Sequence, residues 1–97
     1  MQATAQQTQL YVSHRPEGGL IGVLSEYNAT TGEVINANLI TGLKFPGGLA
    51  VSGNKLFVAN HVGGTVGEYD ATTGAAINAN LLTGLSSPEG IAVKSAK

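Results

Sequence analysis

Residues 26–51, EYNATTGEVINANLITGLKFPGGLAV, and residues 68–93, EYDATTGAAINANLLTGLSSPEGIAV, are two copies of one unit. Set 42 residues apart, they agree at 18 of 26 positions, where unrelated segments would agree at about one or two, so the unit has been duplicated. The duplication extends upstream with a changed spacing. Leu10-Tyr11-Val12-Ser13-His14 aligns with Leu56-Phe57-Val58-Ala59-Asn60 at an offset of 46, which leaves four extra residues in the first copy around positions 15–20.

Within one unit the segments are short, rich in β-formers and punctuated by turn residues, a pattern that predicts four strands. Pro46-Gly47 leads into Gly48-Leu49-Ala50-Val51, and Ser52-Gly53-Asn54-Lys55 turns the chain, with Asn54 as the residue expected to take a positive φ. Residues 56–60 make the second strand. Gly63-Gly64 breaks it, residues 65–69 make the third, and Asp70-Ala71-Thr72-Thr73-Gly74 turns again, the Asp70 carboxylate being suited to accept backbone N–H groups further along. Residues 75–82 make the fourth, where strict alternation would put Asn78 and Asn80 on one face and Ile77, Ala79 and Leu81 on the other.

A period near 42 residues holding four antiparallel strands is the mark of a β-propeller blade, a sheet that must stack on neighbours because it cannot bury both faces alone. The same residues, Leu56-Phe57-Val58-Ala59-Asn60, the glycine-rich loop after them, residues 66–74 and Pro88-Glu89-Gly90-Ile91-Ala92-Val93, resemble the NHL and YVTN-type propeller repeats. The resemblance covers about residues 9–94 and implies an all-β fold with strands A to D running outward from a central channel. It does not imply an activity, since enzymes, protein binders and RNA binders share that scaffold.

On this lettering the chain reads B, C, D, A, B, C, D, A. Residues 1–8 are expected to be a disordered polar lead, 9–94 two blades, and 95–97 a tail. Two blades cannot close a ring, and natural propellers have roughly 4 to 8. Head-to-tail association resolves this, the last strand of one copy completing the first blade of the next. Three copies would give six blades, the commonest count in the NHL resemblance and the expected state; four copies, giving eight, are the runner-up. Leu49, Val51, Ile91 and Val93 on the inner strands are the expected assembly residues, with Val51 and Val93 filling the gap between blades.

Composition narrows the partners. Charged residues are 11% of 97 and sum to −1, so the basic footprint that selects nucleic acid or anionic lipid is missing, and the expected partner is the chain itself. Cys is absent, which excludes disulfides, thiolate metal sites and cysteine nucleophiles and leaves the compartment open. The start of the chain fits a mature secreted terminus with an added Met as well as a piece of a longer protein.

The D-to-A and B-to-C loops should share one face, and functional residues in propellers concentrate on such faces. They offer His14, Arg15, Glu17, Lys44, Phe45, His61 and Glu89 as ligand-binding candidates. Three copies of Glu89 at a channel mouth could form an oxygen ring for a hard cation, although a loop carboxylate is ordinarily a solvated one. Neither His14 nor His61 has a second ligand at metal spacing, and the zinc set of the peptide-amidating lyases that share this fold has no counterpart. No Gly-x-Ser-x-Gly elbow and no phosphate loop occurs, so no catalytic residue and no cofactor is expected. Asn28-Ala29-Thr30 matches the glycosylation sequon, but Asp70 stands at the equivalent place, so that position wants a turn-forming side chain in either case.

The expected function is therefore a non-catalytic propeller module that assembles into a ring, with a weak ligand- or protein-binding face. A metal-dependent, lactonase-like hydrolase rests on fold analogy alone. A lectin-like glycan binder fits multivalency but lacks Trp and has few aromatics.

Overall fold

The computed structural model describes residues 8–94; residues 1–7 of the expected polar lead and the tail at 95–97 lie outside them. The described chain is all β. Its seven strands are β1 (Gln9–His14), β2 (Ile21–Asn28), β3 (Val34–Lys44), β4 (Pro46–Ser52), β5 (Lys55–Asn60), β6 (Thr65–Asp70) and β7 (Ala76–Leu82). They form two antiparallel sheets, a three-stranded one ordered β1-β2-β3 and a four-stranded one ordered β4-β5-β6-β7.

Local chemistry explains the turns. The Asp70 carboxylate accepts the N–H groups of Thr72 (2.8 Å) and Thr73 (3.0 Å), while Gly74 closes the turn by donating to the Asp70 carbonyl (2.8 Å) at a φ of 79°. The first copy repeats the arrangement with Asn28 Oδ1 accepting from Thr30 (2.8 Å) and Thr31 (3.0 Å). Between β4 and β5 the positive φ falls on Gly53 (59°), not on Asn54 as expected. Glycine takes that conformation without a Cβ clash, which frees the Asn54 side chain to accept from Thr72 Oγ1 at 2.8 Å and tie this turn to the next.

Strict alternation fails in the fourth strand of each unit. Glu68 pairs with Asn78 and Val66 with Leu82, so the outer strand carries two residues more than its neighbour; Glu26 to Asn36 and Leu24 to Ile40 show the same shift. The asparagines cause it. Asn78 Oδ1 accepts the N–H of Asn80 at 3.1 Å and Asn36 Oδ1 that of Asn38 at 3.0 Å, local bonds that compete with the ladder and force a bulge.

The sheets stack face to face. Leu24, Leu39, Ile40 and Leu43 of the first meet Leu56, Val58, Tyr69 and Ala71 of the second, with Tyr11 and Leu49 against the rim of this core. Phe45, between β3 and β4, links the sheets at a φ of 50°, and its repeat-mate Ser87 has a φ of 48°, so the linker conformation survives a complete change of side chain.

The eighth strand expected at 88–93 does not form in the single chain. A strand needs a ladder partner, and among the described residues the only backbone bond this segment makes to a strand is from Gly48 N–H to the Glu89 carbonyl at 2.6 Å.

Candidate functional site

Four of the seven candidate loop residues converge in a row. The Arg15 guanidinium lies 3.8 Å from the centre of the Phe45 ring, Phe45 and His61 have ring centres 5.0 Å apart at a 44° tilt, and His61 Nδ1 is 3.6 Å from a Glu89 carboxylate oxygen. Backbone bonds position the row, since Phe45 N–H donates to the Leu20 carbonyl (2.5 Å) and His61 N–H to that of Phe45 (3.0 Å). Arg15 is further oriented by donating to the Gly19 carbonyl at 2.8 Å. An exposed cation–π contact is worth about 0.5–1 kcal/mol and an exposed ion pair about 0–1 kcal/mol, so the row organises loops rather than stabilising the fold.

The other three candidates lie elsewhere. His14 belongs to β1, and its Nε2 sits 2.8 Å from Ser25 Oγ, which itself donates to the Ala37 carbonyl at 2.6 Å. Glu17 is exposed in the turn before Gly18. Lys44 is exposed at the end of β3, beside a cleft of about 300 Å³ between the sheets that Asn60, Thr65 and Asn80 also line. Asn60 is buried and donates to Thr65 Oγ1 (3.2 Å). Among the described residues no three His, Asp or Glu side chains converge as a metal site.

A carboxylate pairing recurs in the strands. Glu68 pairs with Lys55 at 3.4 Å, whereas its repeat-mate Glu26, although buried, is met by the amide of Gln9, the residue equivalent to Lys55. Burial, and then the nearby Glu26 charge, push the Tyr11 hydroxyl above the ordinary tyrosine range.

Of the expected assembly residues, Leu49 is half-buried against the core and Ile91 half-buried in the unpaired segment, whereas Val51 and Val93 are exposed.

The sequence leads one to expect uncovered blade faces, and the residues that form them are the unequal repeat-mates. Leu43 is 4% exposed but its repeat-mate Leu85 is 40%; Leu56 and Val58 are fully buried but Leu10 and Val12, their mates, are 50% and 40% exposed. The signal was in the alignment, because a repeat at the end of an array keeps the residues of an inner repeat and lacks its neighbour. No family model, curated protein or solved structure matches the chain.

Proposed function

We propose that this chain is a self-assembling repeat module whose two sheets act as propeller blades in a ring closed by further copies of itself, with no chemistry of its own. The reading rests on one observation, the unequal exposure of equivalent residues. The face bearing Leu81, Leu82 and Leu85 repeats the face bearing Leu39, Ile40 and Leu43, and the face bearing Leu10 and Val12 repeats that bearing Leu56 and Val58. Inside the chain the face bearing Leu56 and Val58 covers the face bearing Leu39, Ile40 and Leu43, and their two repeat-mates stay exposed. Laying the second sheet of one copy on the first sheet of the next makes the same contact again and removes large apolar side chains from water at about 25 cal/mol per Å².

Such a contact joins unlike surfaces, so it either closes as a ring or grows without limit. Three copies, giving six sheets, are the favoured closure, and four copies the alternative.

The test is a matched pair of variants. Leu82→Glu changes an exposed residue and should leave a folded monomer, with the oligomer lost on size exclusion; Ile40→Glu, at the equivalent buried position, should unfold the chain. A Leu82→Glu protein that elutes like the parent would remove this reading.

A further inference from the structure

We infer that the free edge of β1 is a binding site for one extended segment, residues 88–94 of a second copy, seated antiparallel with Ile91 opposite Val12. This rests on the head-to-tail assembly proposed above and adds to it a specific strand site, its register and a charge pair between copies.

The site is recognised by its equivalent. In the second sheet β5 is flanked by β6 and by β4, with Leu49 opposite Val58, Ala50 opposite Phe57, Val51 opposite Leu56 and Ser52 opposite Lys55. In the first sheet β1, the counterpart of β5, has β2 on one side and, among the described residues, no strand on the other. Meanwhile Pro88-Glu89-Gly90-Ile91-Ala92-Val93-Lys94, the counterpart of β4 (PGGLAVS), has no ladder of its own. One strand position is empty and one strand sequence is unplaced. Carrying the β4–β5 register across the repeat puts Ile91 opposite Val12, Ala92 opposite Tyr11, Val93 opposite Leu10 and Lys94 opposite Gln9.

The last of these pairs accounts for an otherwise odd substitution. The second sheet has Ser52 on its inner strand, Lys55 on the next and Glu68 on the third, the last two ion-paired at 3.4 Å. The first sheet has Gln9 and Glu26 at the matching places and so no cation for a buried carboxylate. In the inferred register Lys94 of the second copy stands where Ser52 stands, on the face that Gln9 and Glu26 share. Directly opposite residues share a face, and Glu26 stands opposite Tyr11, two residues from Gln9. The pair is therefore separated by two strand spacings of about 4.8 Å and two residues of about 3.4 Å each, about 12 Å between Cα atoms, which a lysine and a glutamate together span. The cation has moved from one strand to its neighbour, and it pairs with Glu26 only between copies.

Because the chain has no cysteine, paired thiols report the register. Opposed residues of an antiparallel pair meet disulfide geometry, whereas a slip of one residue turns the side chains to opposite faces. On oxidation, Ile91→Cys with Val12→Cys should convert the monomer band on a non-reducing denaturing gel into covalent multimers, as should the milder, exposed pair Lys94→Cys with Gln9→Cys. Ile91→Cys with Tyr11→Cys should not. For the charge pair, Lys94→Met should raise the concentration for half-assembly by roughly tenfold, and adding Gln9→Lys, which recreates the Lys55 arrangement, should restore it. If light scattering finds assembled protein but neither matched pair cross-links, or the slipped pair cross-links equally well, the strand site is wrong while assembly stands. A monomer at every concentration removes both. An inert Lys94→Met would overturn the charge pair.

Discussion

Gly74 and Leu39 touch across the seam between the sheets, and a Cβ on Gly74 would fall on the Leu39 carbonyl oxygen. The glycine also has a φ of 79°, so its turn conformation and the close approach of the sheets demand the same residue. Gly74→Ala should therefore incur left-handed strain of about 1–2 kcal/mol and an overpacking cost of about 1–3 kcal/mol. Chemical denaturation should show the midpoint falling accordingly; an unchanged midpoint would mean that the seam relaxes freely.

Gly32, the repeat-mate of Gly74, has nearly the same φ, 81°, but its missing Cβ faces open space. In a head-to-tail ring it would meet Leu81 of the neighbouring copy. Gly32→Ala should lower the stability of the single chain only by the left-handed strain, about 1–2 kcal/mol, yet dissociate the oligomer. Circular dichroism and size exclusion on the same sample separate the two effects.

Backbone N–H groups of Thr73 and then Thr72 hold the Asp70 carboxyl below the ordinary aspartate range. A carboxyl whose pKa is depressed on folding stabilises the native state above its unfolded value, about 3.9, and loses that contribution as pH falls through the folded value. Thermal midpoints should therefore drop in the parent below about pH 4. Asp70→Asn, which copies the bonding of Asn28 in the first unit, should keep the turn and show a shallower acid loss. Parallel acid profiles would show that Asp70 is not coupled to folding.

The Arg15–Phe45–His61–Glu89 row ties loops to one another. Phe45→Ala should cost about 1 kcal/mol or less through the lost cation–π contact, because Arg15 is largely held by Gly19. The strained φ of 50° at Phe45 predicts the opposite sign for Phe45→Gly, which trades the ring contacts for relief of about 1–2 kcal/mol. Thermal melts of the two variants would order them with glycine the more stable.

Most of the strand pattern was legible. Turn chemistry at residues 70–74 and the repeat offset placed the strands close to their observed bounds, since short β-rich runs between glycines leave few alternatives. The bulges were not, because the side-chain oxygens of Asn36 and Asn78 outcompete a period that composition alone supports. The shared face and the four members of the loop row were legible as well, but not their pairwise contacts, because the residues come from distant parts of the chain. The eighth strand was legible as a pattern and absent as structure. Residues 88–93 carry the letters of β4 but not its partner, and a strand is defined by what pairs with it.

The central claim is that the exposed faces of the first and second sheets are halves of one interface. The mass of the native protein, by sedimentation or light scattering across a wide concentration range, tests it most directly. The account predicts three times 9.8 kDa, or four times if the ring closes with eight sheets, with little dissociation on dilution. A compact, folded monomer of 9.8 kDa throughout that range would contradict it.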